Sequence, residues 1–596
     1  MVDQVLRDQA ALKGIEDVFV DGNGRRHEVS EQTLRRLLEA LGPQSAAHAG
    51  QAVCTRTCYL PPHLADGGRL WGLSLQLYGL RSSTNWGIGD FTDLAELAEM
   101  AGAAGVAALQ LSPLHALFSA RPAHCAPYSP SSRLMLNPLY VDVAAVPEFQ
   151  HSAAGQRYLK GPQFVQRLDQ LRRQPGVDYP GVAALKQPAL RIAFEEFMAR
   201  DAAQETARFQ DFLAFCRQGG QALADFALFE VLDQRMHREY PGGWQSWPAE
   251  FRSPGTAACR EFAAGHQREL FYPMYLQWLA RTQLAQAQQR GRDAGMPIGL
   301  MADLAVGVDP IGADAWRDQN LLALDVEVGA PPDAFADQGQ AWGLPPWRPS
   351  TLATRDHEPW RALLMANMRD VGGLRVDHVI GLERQFWVPR GLTGRDGAYV
   401  RYPREALLDV LAECSRQSGC LVIGEDLGTV PAGFSKRLED CSILSTRVLR
   451  FERYANGLFA RPDTYPSLAC ACAGTHDLLP LAAWMTVDSR LADDAGEMDL
   501  LDAALADAGV SSGSDDLDAR IAAVHGFLAA TPCALVLVQL EDVLAEYQPA
   551  NQPGTGAEQP NWQRKYSCDL ARLAQLAGWR ITTDLFRTAG RARHAA

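Results

Sequence analysis

The chain has 596 residues, 47% hydrophobic and 21% charged, with a formal net charge of -14 at pH 7. That length exceeds what one hydrophobic core supports, so subdomains packed around a large central unit are expected. The acidic balance excludes the basic footprint of a nucleic-acid binder, the composition excludes a disordered chain, and a neutral or cationic small partner is left as the expectation.

The N-terminus, MVDQVLRDQAALKGIEDVF, lacks a basic stretch followed by an apolar one, and no window approaches 18 apolar residues, so neither membrane nor leader is indicated and a cytoplasmic protein is expected. Residues 1–60 read as a small helical region and a connector. Within it SEQTLRRLLEAL opens on Ser30, a good N-cap, and carries leucines at helical spacing. From 61 to the end the chain reads as one catalytic domain.

Eight short apolar runs follow: WGLSLQLYGL (71–80), VAALQLSPL (106–114), MPIGLMADLAV (296–306), GGLRVDHVI (372–380), CLVIGEDLG (420–428), STRVLRFE (445–452), CACAGTHD (470–477) and CALVLVQLEDVL (533–544). Amphipathic segments such as FTDLAELAEMAGAAG and REALLDVLAECSRQSG lie between them. Continuous apolar strands alternating with helices mark a parallel sheet covered by helices, and eight units predict closure into a (β/α)8 barrel of the α/β class. A doubly wound open sheet is the alternative, but no Gly-rich phosphate loop follows the first run. The long gap at 115–295 is helical in pattern and predicts a subdomain inserted above the C-terminal face, where barrel enzymes build their sites.

The twelve cysteines are scattered, and the closest pairs, Cys54 with Cys58 and Cys470 with Cys472, lack CxxC spacing. Buried, reduced thiols are expected. With no metal-ligand cluster in the sequence, no metal and no cofactor are expected.

Three runs end in acid: Asp377 in GLRVDH, Glu425 in VIGEDLG and Asp477 in GTHD. A lone Asp at a strand end more often caps a helix or pairs with a cation. Three at the C-terminal ends of barrel strands converge on one mouth, and converging carboxylates are what cleavage of a glycosidic bond requires. Arg375 lies two residues before Asp377, on the same face of the strand, where a fixed cation holds the carboxylate ionised.

These motifs resemble the 4-α-glucanotransferases, also called amylomaltases or disproportionating enzymes, relatives of the α-amylases. The resemblance covers about residues 71 to 565 and extends to VGAPPDAFADQGQAWGLPPW (328–347) and to NQPGT with PNW (551–562). It implies a retaining transfer of an α-1,4-glucan segment from a donor maltodextrin to the 4-hydroxyl of an acceptor glucose or maltodextrin, through a covalent glycosyl-enzyme. By the same resemblance Asp377 is the nucleophile, Glu425 the acid/base and Asp477 the transition-state stabiliser. Arg375 orients the nucleophile, His378 and His476 contact sugar hydroxyls, and Tyr128 stacks on the transferred sugar. Gln340 and Trp342 contact flanking glucose units, Asn551 supplies a further polar contact, and Asp303 closes the third strand.

The residues around Asp303 resemble a longer bacterial subgroup acting on maltose and maltodextrins, which carries an extra β-rich module before the barrel. Here only about thirty residues separate Leu41 from Trp71, so that module is missing or reduced to a connector. Trp244, Trp247 and Trp347 are further candidate sugar faces, the first two equally readable as packing inside the insertion. Two rival functions use the same features: an α-1,4-glucan hydrolase of the amylase group, with a wetter site, and a non-catalytic glucan-binding protein.

Overall fold

A computed structural model describes residues 3–43, 53–333, 336–487, 496–510, 513, 516–556 and 558–592. Part of the expected connector, 44–52, lies outside the described residues.

Eight parallel strands close into a barrel: β1 (Leu70–Leu75), β2 (Ala108–Leu111), β3 (Gly299–Leu304), β4 (Gly373–Val376), β5 (Leu421–Gly424), β6 (Leu444–Val448), β7 (Ala469–Cys472) and β8 (Leu535–Gln539). Each lies beside its neighbours in chain order, and β8 returns to pair with β1. Every barrel strand falls within one of the eight apolar runs, allowing a residue at the ends. The reason is burial on both faces: LVLVQ and ACAC are buried at every position, so nothing selects for alternation.

The barrel interior changes character along its axis. Its lower part is a packed cluster containing Ile298, Met301, Leu421, Ile423, Leu444, Cys470 and Leu535. Toward the C-terminal ends the inward positions become Asp303, Arg375 and Gln539, all buried. Barrels are filled cores closed at the bottom and functional at the top, and this sequence places its charge accordingly.

The insertion after β2 is dominated by long helices, among them Tyr179–Phe197, Gln267–Asp293 and Ala207–Met236, the last broken by a kink at Gly220. It contains a second hydrophobic cluster, in which Trp244 and Trp247 are buried, with Trp247 stacked on Phe229 at 5.6 Å. Of the two readings for this pair, packing is the one realised.

Two features depart from expectation. Residues 326–401 supply a four-stranded antiparallel sheet outside the barrel, in the order Ala398–Arg401, Arg384–Pro389, Val326–Ala330, Gln340–Ala341. The N-terminal region is not purely helical either. Between helices Gln4–Leu12 and Glu31–Leu41 lies an antiparallel hairpin, Val18–Val20 with Arg26–Glu28. Its Phe19 packs edge-on against Phe386 at 5.1 Å and Tyr399 at 6.2 Å, and Glu16 N–H donates to the Tyr399 carbonyl at 2.8 Å. Ser30 caps the second helix as expected, its hydroxyl accepting from Thr33 N–H at 3.1 Å.

All twelve cysteines are free thiols; nine are buried, and Cys125, Cys216 and Cys568 are half-buried. Among the described residues no helix is long and apolar enough to cross a membrane, and no group of His, Cys, Asp and Glu has the arrangement of a metal site.

Candidate active site

Arg375 and Asp303 are register partners on β4 and β3, and Val376 pairs with Gly424 on β5. One residue further on, Asp377 and Glu425 therefore leave adjacent strands side by side. Neighbouring strands lie about 4.8 Å apart, which is the scale of the roughly 5–5.5 Å that separates the two carboxyls of a retaining glycosidase. The backbone ties the two ends together, since Glu425 N–H donates to the Val376 carbonyl at 3.0 Å and Val379 N–H to the Glu425 carbonyl at 3.0 Å.

Arg375 is the electrostatic hub. One guanidinium nitrogen meets both Asp303 oxygens at 2.7 and 2.8 Å, and another meets Asp377 at 3.0 Å. Burial works to lower the guanidinium pKa, but Asp303 and Asp377 outweigh it and hold it well above its ordinary value. Burial likewise pushes the Asp303 carboxyl up, against Arg375 and the Tyr128 hydroxyl, which donates to it at 2.7 Å. Asp377 is thus held beside a permanent cation while remaining partly open to the mouth.

Glu425 is buried, and its oxygens accept from the N–H groups of His378 at 2.9 Å and Leu427 at 2.7 Å. Burial raises its pKa to about 7; Asp377 adds to the rise, while Arg375 and the two N–H groups oppose it. His378 adopts a left-handed backbone, φ 48°, a conformation in which His is enriched, and burial lowers its imidazole pKa, keeping the ring neutral.

The remaining candidates close around this pair. Tyr128 stacks on His476 at 4.8 Å; His476 Nε2 lies 3.4 Å from Asp477; and Asn551 donates to Asp477 at 2.6 Å. Asp477 is exposed at the rim. Trp342 meets His378 edge-on at 5.4 Å and donates its indole N–H to Gln340 at 3.0 Å. Contacts and chain adjacency thus link the eleven residues to which the resemblance assigns roles. Trp347 is half-buried and lies under the Arg133 guanidinium at 5.0 Å, outside that network.

One ring was missed. Trp562, with φ 60°, lies 5.4 Å from both Tyr128 and His476 and completes an aromatic wall. The PNW signature contained it, but its destination depends on a backbone conformation that sequence does not display. Below the carboxylates a polar cavity of about 60 Å³ is lined by Ser74, Gln110, Arg375, Glu425, Gln539 and Glu541, room enough for water.

The titration of Glu425 has two consequences. In the acid/base role that the sequence resemblance implies, Glu425 starts protonated, so rates are expected to fall on an alkaline limb with an apparent pKa near 7, read from kcat across pH 5–9. A flat profile to pH 9 contradicts that role. Because the folded pKa is raised above the ordinary value of 4.5, Glu425 contributes stability that is full below about 4.5 and lost as pH rises through about 7. Glu541, raised by burial to about 7, and Asp542 and Asp93, raised by burial to about 6, act in the same direction. Buried His115 and His525, lowered by burial to about 3 and about 4, act in the opposite direction between pH 5.5 and 7, so the contribution of Glu425 is read by comparison: Glu425→Gln is expected to lose less of its thermal unfolding midpoint between pH 5.5 and pH 8 than the wild type does.

Comparison with known proteins places this arrangement among relatives. The family described as 4-alpha-glucanotransferase matches residues 75–571. A 4-alpha-glucanotransferase of Haemophilus influenzae is 35% identical over 551 residues, covering 87% of this chain and 78% of the relative. One from Mycobacterium tuberculosis is 36% identical over 549 residues, covering 87% and 74%. Among solved structures, amylomaltase from Corynebacterium glutamicum superposes with a TM-score of 0.81 at 29% identity, covering 98% of this chain and 99% of that one. Amylomaltase from Streptococcus agalactiae in complex with acarbose shares the fold, with a TM-score of 0.72 at 18% identity over 88% and 100% of the two chains.

Proposed function

From the premise that the chain belongs to the 4-alpha-glucanotransferase family, we propose that the enzyme moves a glucan segment through a covalent intermediate on Asp377, with Glu425 as acid and base. The activity is 4-α-glucanotransferase and the substrates are glucans. The observation that carries the residue assignment is the pairing of Asp377 and Glu425 at adjacent strand ends under one guanidinium.

In the first step an Asp377 oxygen attacks the anomeric carbon of the donor. The bond from that carbon to the leaving O4 breaks as the Glu425 proton passes to the departing oxygen. In the second, the acceptor 4-hydroxyl gives its proton to Glu425 and attacks the same carbon, which releases Asp377. Two inversions retain the α configuration. Arg375 holds the Asp377 carboxylate at 3.0 Å, and the raised pKa of Glu425 lets it start protonated near neutrality. Asp477, presented by Asn551 and His476, grips ring hydroxyls as charge develops. The donor is a maltodextrin and the acceptor glucose or a maltodextrin, with Tyr128, Trp342 and Trp562 offering flat faces to the sugar rings.

Maltotriose separates transfer from hydrolysis. Transfer is expected to give glucose together with oligosaccharides longer than the starting sugar, resolved by chromatography. A mixture containing only shorter products overturns the proposal.

A further inference from the structure

The N-terminal unit touches the outer sheet at Phe386 and Tyr399 and also reaches Pro332, just past the strand Val326–Ala330 that pairs with Gln340–Ala341. Strands Val326–Ala330 and Gln340–Ala341 form a hairpin, registered Gly329 with Ala341 and Ala330 with Gln340, and Trp342 N–H donates back to the Val328 carbonyl at 2.9 Å. The described residues between them are held on two sides, Pro332 and Asp333 on one and Asp337 and Gly339 on the other. On one, Gly22 N–H, from the turn of the N-terminal hairpin, donates to the Pro332 carbonyl at 2.9 Å. The approach is so close that a Cβ on Gly22 would stand 2.7 Å from the Asp333 Cβ. On the other, Arg395 donates to the Asp337 carbonyl at 2.9 Å, and Gly339 packs on Gly394, where an added Cβ would stand 3.0 Å from the Gly394 Cα. That second support is itself fastened to the N-terminal unit, because the Thr33 hydroxyl donates to the Asp396 carbonyl at 2.8 Å.

The turn bearing Gly22 is rigid. Asp21 is buried; one oxygen accepts from the N–H groups of Asn23 and Arg25, both at 2.9 Å, and the other meets His27 at 2.7 Å. His27 stacks on Phe19 at 5.0 Å, and Phe19 is anchored on Phe386. A continuous set of packed and hydrogen-bonded groups thus runs from the sheet through the hairpin to Pro332, and from the Gln340–Trp342 end to His378 beside Asp377.

We propose that Gly22 is a positioning residue for the transfer reaction: the N-terminal hairpin, seated on Pro332 and Asp333, fixes the height of the Gln340–Trp342 strand above the site and so sets affinity for the glucose units beyond the bond being cut. The inference rests on the reading of Trp342 as a sugar contact. A seam that positions a binding strand without touching the reacting atoms changes KM and leaves kcat largely intact.

The test is a double-mutant cycle on the full chain, measuring kcat and KM with maltotriose and maltohexaose. Trp342→Ala is expected to raise KM for maltohexaose about tenfold. Gly22→Ala, which drives a Cβ into Asp333, is expected to raise it three- to tenfold with kcat within about twofold. In the double variant KM is expected to equal that of Trp342→Ala alone, because both act through one contact. A Gly22→Ala enzyme with unchanged KM, or effects that multiply, overturns the inference while the reading of Trp342 stands. Trp342→Ala with unchanged KM removes that reading, and the inference with it. Should Gly22→Ala fail to fold, Asp21→Ala, which frees the turn, must reproduce the rise in KM; unchanged KM there overturns the inference equally.

Discussion

Asp377→Asn is expected to lower kcat with maltotriose by on the order of 10⁴-fold or more, the scale seen when a covalent nucleophile is removed, while maltohexaose binding stays within a few-fold. The amide fills the same volume and can still receive the Arg375 guanidinium, which approaches at 3.0 Å, so the architecture survives. What disappears is the negative charge that attacks the anomeric carbon and balances the developing oxocarbenium ion. A second effect accompanies it. Asp377 contributes to the raised pKa of Glu425, so in the variant Glu425 is expected to titrate below about 7. Calorimetric binding of maltohexaose, together with turnover, separates the possibilities. A variant retaining more than about a hundredth of wild-type turnover would assign the nucleophile elsewhere.

Arg375→Ala is expected to damage stability as well as rate. Arg375 and Asp303 are 9% and 2% exposed, so removing the guanidinium leaves Asp303 buried with the Tyr128 hydroxyl as its remaining contact among those described for its side chain. Breaking a buried pair by deleting one partner costs about 3–5 kcal/mol. Activity is expected to fall about 10³-fold, since Asp377 loses its adjacent cation and Asp303 its orienting fork. Arg375→Lys restores charge but not the planar donor geometry that reaches both carboxylates, and should recover more stability than rate. Urea unfolding decides the first part. An Arg375→Ala enzyme within about 1 kcal/mol of wild type would mean that the charges are screened by water.

The barrel was legible because strands buried on both faces carry unbroken apolar runs, and the helices between them carry a different period. The carboxylates were legible because they interrupt such runs: GLRVDH and IGEDLG turn from apolar to charged within two residues. The outer sheet was not read, although FWV in Arg384–Pro389 and AYV in Ala398–Arg401 are strand-forming sequences. Arg384–Pro389 pairs with Ala398–Arg401 on one side and on the other with Val326–Ala330, which is distant along the chain, and register between distant strands is set by packing. The N-terminal hairpin was invisible for a similar reason. Each of its strands is three residues long, one of them RHE, and it is held by Phe19 seated on residues more than 350 positions away. Residues whose role is set by chemistry stood out, whereas Gly22 owes its place to a close backbone approach and Trp562 to its φ of 60°, neither of which carries a chemical signature.

Asn551 and Trp562 follow the last barrel strand, yet they meet Asp477, His476 and Tyr128, which emerge from the ribosome earlier. A growing polypeptide therefore lacks these contacts when the eighth strand has closed the ring, and gains them only once residues 551 to 562 have followed.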